Sequence, residues 1–193
     1  GFKKKQIISS NFYRHFDYSK IFITDHPYNI TNNTLVDHDK IPAWISKWLK
    51  EKFLKNNLEK FNFKKIYIDR DDVDPKRCSK RRILNEIELR NMLAKLDFTF
   101  VKLGELTFTK QIEVFNNANL ILGLHGAGFA NIAFCKPGTK IIELRTNDTG
   151  KILENIGLKN ELNYNALEYE PIMSSDNQNG LIEVDLKQIE KLI

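Results

Sequence analysis

Residues 119–131, Asn-Leu-Ile-Leu-Gly-Leu-His-Gly-Ala-Gly-Phe-Ala-Asn, constrain the fold more than any other stretch of the chain. An apolar strand runs into a glycine-rich turn carrying one histidine, and a short helix follows. Such a junction aims backbone N–H groups at one spot, at the positive end of a helix, where an anion such as phosphate binds. Two plainer readings stay open beside this one: the glycines serve a tight turn with close helix–sheet packing, and His125 is a hydrogen-bonded cap. The Gly-x-His-Gly-Ala-Gly spacing is not the dinucleotide fingerprint, whose glycines fall at the first, third and sixth places, and this argues against NAD.

The surrounding pattern extends the junction into an α/β sheet. From Lys64 onward, short β-branched or aromatic runs alternate with helical segments, as in βαβ units and a parallel sheet. Strands are predicted at Lys65–Asp69, Thr99–Leu103, Leu120–Gly123 and Lys140–Leu144, and helices at about 82–96, 108–117 and 128–134. Phe108, Ile112 and Phe115 give the second of these helices an apolar stripe. Further on, a helix is predicted near 150–157, a strand near 163–168, a polar loop at 174–180 and a terminal helix from Asp185. Upstream, Lys20–Thr24 reads as a strand. A helix then runs from Pro42 to about Lys55, with Trp44, Ile45, Trp48 and Leu49 on one face. The Asn-rich stretch 56–62 marks the expected junction between a preceding segment, 1–60, and an α/β domain, 61–193.

Composition bounds the function classes. With 193 residues and 41% hydrophobic content, the chain can bury one sizeable core, and its apolar runs fall far short of the 20 or so residues that cross a bilayer. It does not begin with Met, so it is expected to be a segment of a longer protein with a missing N-terminal part. The net charge of +5 suits an anionic ligand. No interleaved aromatic and basic platform accompanies it, so nucleic acid is not the expected partner. Cys78 and Cys135 are too few for a disulfide scaffold or a four-thiolate zinc site, which points to a reducing, cytoplasmic setting. Peripheral attachment to a membrane stays open for a longer protein.

The predicted strand ends gather the reactive residues at one edge: Asp69 and Arg70, Leu103 and Gly104, His125 with Gly126 to Gly128, then Glu143 and Arg145. Ligands of open parallel sheets sit beyond this carboxyl edge. Lys76, Arg77, Lys80, Arg81 and Arg82 crowd the approach to the 82–96 helix, where each cation opposes the helix dipole by roughly 0.3–1 kcal/mol. A diphosphate would compensate them, since an arginine–phosphate contact is worth roughly 1.5–3 kcal/mol. Glu86 is either a dipole-favoured acid or a clamp for those arginines. Glu143 is either a partner for Arg145 or an acceptor for ribose hydroxyls, the second being preferred. Asp72 and Asp74 have a spacing able to hold a divalent metal, although chance and mutual neutralisation with the neighbouring lysines and arginines are the preferred explanation.

Several separate segments together resemble glycosyltransferase family 61, including its bacterial capsular-polysaccharide members. They are Ile66-Tyr67-Ile68-Asp69-Arg70, Arg81-Arg82-Ile83-Leu84-Asn85-Glu86, Phe108-Thr109-Lys110-Gln111, Gly123 to Gly128 with Asn131, and Ile141-Ile142-Glu143-Leu144. The resemblance implies the C-terminal, Rossmann-like lobe of a GT-B glycosyltransferase and inverting transfer from a nucleotide sugar, with a UDP-sugar preferred, to a glycan or polysaccharide acceptor. It assigns Arg70 and Arg81 to the diphosphate, with Arg82 beside them in the same motif. His125, Gly126, Ala127 and Gly128 become the phosphate-facing turn, and Asn85 with Glu86 supporting or nucleotide contacts. Asp69 stands where serine is frequent in the family and sets an anion beside that site. No cofactor is expected to be required. The base is expected from the other lobe, with Asp25 and His26 as candidates within this chain.

Overall fold

A computed structural model of the chain describes residues 41–54, 64–70, 81–172 and 180–193. Its centre is a five-stranded, all-parallel sheet. The strands are β1 (Lys65–Asp69), β3 (Thr99–Lys102), β4 (Leu120–Leu124), β5 (Lys140–Thr146) and β6 (Asn163–Tyr169), in the order β3-β1-β4-β5-β6. A parallel sheet covered on both faces needs strands apolar on both sides, and β4, Leu-Ile-Leu-Gly-Leu, is buried throughout.

Alternate residues feed two cores. Ile66, Ile68, Ile121 and Ile141 face Val114, Phe115, Phe129 and Ile132. Tyr67, Leu122, Ile142 and Leu144 face Leu89, Leu93 and Ile189. The flanking helices are α1 (Ala43–Phe53), α2 (Glu86–Lys95), α3 (Phe108–Asn117), α4 (Ile152–Lys159) and α5 (Leu186–Leu192). Asp185 caps α5 by accepting from the N–H groups of Lys187 and Gln188, as its place in the sequence predicts. None of the described helices is long and apolar enough to cross a membrane.

One expectation is corrected. The segment expected to open the 82–96 helix is instead a strand, β2 (Arg81–Ile83), paired in parallel with β7 (Gly180–Ile182). The helix begins only at Glu86, so Arg81 and Arg82 do not load its first turn; Glu86 and Glu88 do, with the sign the dipole favours. On α1, the face that carries Trp44, Ile45, Trp48 and Leu49 is only partly covered: both tryptophans are exposed, while Ile45 and Leu49 are half-buried. The helix is held by Ser46, which accepts from Asn160 Nδ2 at 3.0 Å, and by edge-to-face contacts of Phe53 with Phe108 and Phe134. These contacts pack α1 onto the sheet domain.

Chain order positions the site. From β1 the chain leads towards β3 on one side, whereas from β4 it leads to β5 on the other. The crevice opens between the carboxyl ends of β1 and β4, where the order reverses and an open sheet binds its ligand.

Candidate functional site

The end of β1 delivers Arg70 to that crevice, β2 delivers Arg81, and β4 runs into His125. Arg70 Nη1 donates to the His125 carbonyl at 2.8 Å, and Arg81 Nη1 donates to the same oxygen at 2.7 Å. Two guanidinium groups therefore stand side by side on one neutral acceptor. The Arg81 Nε is buried with no hydrogen-bond partner among the described residues. Burial foremost, then the Arg70 charge, pull the Arg81 pKa below its usual value, against weaker opposition from Glu143 and Asp148.

The glycine turn lies directly against these head groups. A Cβ on Gly126 would come within 2.8 Å of Arg70 Nη1, and one on Gly128 within 2.7 Å of Leu103 Cδ1. Gly126 is extended, so a side chain there would meet the Arg70 head group and not an unusual φ. Residues Ala127–Phe134 form a 3₁₀ helix whose first backbone bond runs from the Phe129 N–H to the Gly126 carbonyl at 3.0 Å. The N–H groups of Gly126, Ala127 and Gly128 precede it and make no backbone hydrogen bond among the described residues. A cleft of about 280 Å³ collects these features, with Arg70 and Arg81 beside Ile68, Leu103, Leu124 and Phe129.

Beneath the turn lies a buried polar chain. His125 Nδ1 meets Glu143 Oε1 at 2.5 Å, and Glu143 Oε2 accepts from Arg145 Nη1 at 3.1 Å. Arg145 also donates to Glu168 at 2.7 Å and Glu154 at 3.3 Å while only 2% exposed. Burial alone would lower its pKa. The Glu168 hydrogen bond and the charges of Glu143, Glu168 and Glu154 outweigh burial and raise it. The Tyr164 hydroxyl is buried towards Glu143 without a hydrogen bond of standard geometry. Burial first, then the Glu143 charge, hold this phenol far above its ordinary range.

Each residue proposed from sequence can now be placed. Arg70, Arg81, His125, Gly126, Ala127 and Gly128 come together. Glu143 lies directly below them, fully buried with both oxygens engaged, so it is a partner of His125 and Arg145 and not a ribose acceptor. Asn131 braces the turn, donating to the Gly128 carbonyl at 3.3 Å and to Gln111 at 3.0 Å. Asn85 ties β2 to the chain beyond β7, donating to the Val184 carbonyl and accepting from its N–H. Glu86 accepts from the Tyr67 hydroxyl at 3.1 Å and lies 3.8 Å from Arg90, so it orients neither Arg81 nor Arg82. Arg82 is exposed on β2. Asp69 accepts from Arg90 at 2.9 Å, which offsets the anion beside the arginine pair. Asp25, His26, Asp72 and Asp74 lie outside the described residues.

Gln111 is a site residue that the sequence reading did not single out. Besides accepting from Asn131, it donates to the carbonyls of Leu103 and Leu106 at 2.8 and 3.3 Å. It thereby ties the glycine turn to the opposite wall of the cleft. Its place one turn into an amphipathic helix, beside a Phe-Thr-Lys run, was the available signal.

Comparison with known proteins agrees with this geometry. The family model of glycosyltransferase 61 matches residues 15–142. The chain belongs to glycosyltransferase family 61. A curated relative, the EGF domain-specific O-linked N-acetylglucosamine transferase of Gallus gallus, is 33% identical over 69 residues, covering 33% of this chain. The matched stretch spans 13% of that relative's length. Within this family 61 chain, the matched region includes β1, β2 and the glycine turn, the three elements that meet at the His125 carbonyl.

Proposed function

We propose that the chain is the donor-binding lobe of a GT-B glycosyltransferase that moves a sugar, with inversion, from a nucleotide sugar to a hydroxyl of a glycan or polysaccharide, as in capsular polysaccharide assembly. The observation that carries this reading is the convergence of Arg70 and Arg81 on the His125 carbonyl at the mouth of the crevice. Two guanidinium groups that converge on one point present paired donors that a diphosphate can bridge. UDP is the preferred nucleotide. The Gallus gallus relative is named for N-acetylglucosamine transfer, which makes that the first sugar to test.

The mechanism follows from charge. The acceptor oxygen attacks the anomeric carbon as the bond from that carbon to the phosphate oxygen breaks, and the nucleoside diphosphate leaves with the electron pair. Arg70, Arg81 and the N–H groups at Gly126 to Gly128 stabilise the growing negative charge, a preorganised electrostatic role. The proton of the acceptor hydroxyl passes to a general base. That base is assigned to a second lobe facing this rim, or to Asp25 or His26. The arginine pair itself supplies positive charge for the leaving group. A metal held by Asp72 and Asp74 is the alternative source, and manganese dependence of UDP affinity that Asp72→Asn abolishes would mark it.

A nucleotide-binding module without transferase activity is the competing reading, and turnover of a UDP-sugar separates the two. Binding comes first: UDP should raise the melting temperature, by the equivalent of about 2.7 kcal/mol at a hundredfold excess over Kd. Arg81→Ala should remove most of that shift. No response to UDP, GDP or CDP defeats the proposal.

A further inference from the structure

Arg70 and Arg81 meet on the His125 carbonyl, so whatever fixes that carbonyl fixes the arginine pair. The backbone does so only in part. The His125 N–H extends the β4–β5 ladder by donating to the Leu144 carbonyl at 2.8 Å. Beyond it the ladder stops, since the N–H groups of Gly126, Ala127 and Gly128 make no backbone hydrogen bond among the described residues. A second restraint on residue 125 comes through its side chain.

The strand register brings the partners of that side chain together. Gly123 pairs with Glu143 and Leu124 with Leu144, so Gly123 and His125 share a face of the sheet with Glu143 and Arg145. Glu143 Oε1 meets His125 Nδ1 at 2.5 Å. Glu143 is itself held, because its Oε2 accepts from Arg145, and Arg145 is anchored in turn by Glu154 and Glu168. A carboxylate paired with an arginine accepts and does not donate, so the imidazole carries its proton on Nδ1. His125 is thus pinned to β5 twice, by its N–H and by its ring, while its carbonyl receives the two arginines.

Stability alone does not account for a glutamate at this place. A buried ionic hub returns little over apolar side chains of similar volume, and Glu143 interrupts the otherwise apolar run Ile141 to Leu144. An apolar residue there would fill the space but could not hold the imidazole. Glu143 therefore stands one link behind the arginine pair, and needs no contact with a ligand to act on it. We propose that Glu143 is a positioning residue of the donor site: through the His125 imidazole it holds the His125 carbonyl, and with it Arg70 and Arg81, in the geometry that receives the diphosphate. This rests on the donor-site reading above.

Titration calorimetry with UDP and with inorganic pyrophosphate tests the link on the wild-type chain, Glu143→Gln, His125→Leu, the double variant and His125→Asn, with folding checked by urea unfolding. Glu143→Gln keeps the volume and loses the charge, and should weaken both ligands by the same factor, about tenfold or more. His125→Leu should do likewise, and the double variant should lose no more than the worse single one, because both changes break one link. His125→Asn, whose amide can place a donor where Nδ1 stands, should retain most of the wild-type affinity. A folded Glu143→Gln that binds as the wild type does would overturn the assignment. So would losses that multiply in the double variant, or weakened UDP with unchanged pyrophosphate, which would mark Glu143 as a ribose contact. Should Glu143→Gln or the double variant not fold, the His125 variants still decide, since equal affinities of His125→Asn and His125→Leu overturn the assignment. Failure of the wild-type chain to bind pyrophosphate would instead overturn the donor-site reading, and this assignment with it.

Discussion

Arg145, on β5 of the five-stranded sheet, and Arg81, on β2 of the two-stranded one, are the same residue type, yet their surroundings differ in kind. Arg145 is surrounded by three carboxylates, and its charge is stabilised. Arg81 shares a carbonyl with a second arginine, and its charge is destabilised. A charge satisfied from within the protein holds the fold, because removing one partner strands the others. A charge left short of opposite charge at the mouth of a cleft makes the protein less comfortable alone and more so with an anion bound. The difference separates scaffold from site without reference to any ligand.

The comparison can be broken at either end, and the largest effect is expected on the scaffold side. Arg145→Ala leaves Glu143 buried with no cation on its second oxygen, and should cost about 3 kcal/mol or more in urea unfolding. A loss under about 1 kcal/mol would mean the hub is not structural. Arg81→Ala should do the opposite. Its stability change should stay within about 1 kcal/mol, of either sign, since a like charge beside Arg70 is removed. UDP affinity should fall roughly 10- to 100-fold, the worth of a charge-assisted contact.

Gly126→Ala sharpens the comparison further. The added methyl collides with Arg70 Nη1, the far end of a flexible side chain, so the head group moves and the fold does not. UDP affinity should drop about tenfold or less while the melting temperature barely changes. The smallest effect concerns Tyr164. Its folded-state pKa is raised, so the stability it contributes is fully present below the ordinary phenol value near 10 and is lost as pH rises above it, by up to about 1.4 kcal/mol per pH unit. Tyr164→Phe should flatten the stability profile above about pH 10 and leave it unaltered at pH 7.

How far the sequence could be read follows the same division. β1, β4, β5 and α3 were legible because continuous apolar runs and a 3.6-residue stripe are local signals of strands buried on both faces and of a half-buried helix. β2 was not: three residues are too few for a period, and Arg81–Ile83 pair with Gly180–Ile182, almost a hundred positions away. That missed strand also misplaced the reason for the basic cluster, which is delivered to the site by a strand and does not load a helix start. The meeting of Arg81 with His125 was legible through the resemblance to family 61, which assigns both to one diphosphate. The role of Glu143 was not, because a glutamate closing an apolar strand reads alike whether it faces ligand or a buried arginine. On α1, helical spacing put Trp44, Ile45, Trp48 and Leu49 on one face but did not say what docks the helix, which a serine–asparagine bond and the Phe53 ring do.

The central claim is that residues far apart in sequence, Arg70, Arg81 and the turn at His125 to Gly128, close around one diphosphate. A crystal structure of the chain with UDP bound tests it most directly. Phosphate oxygens should lie about 3 Å from the guanidinium groups of Arg70 and Arg81 and face the N–H groups of Gly126 to Gly128. UDP ordered elsewhere on the molecule, with both arginines still donating to the His125 carbonyl, would contradict the account.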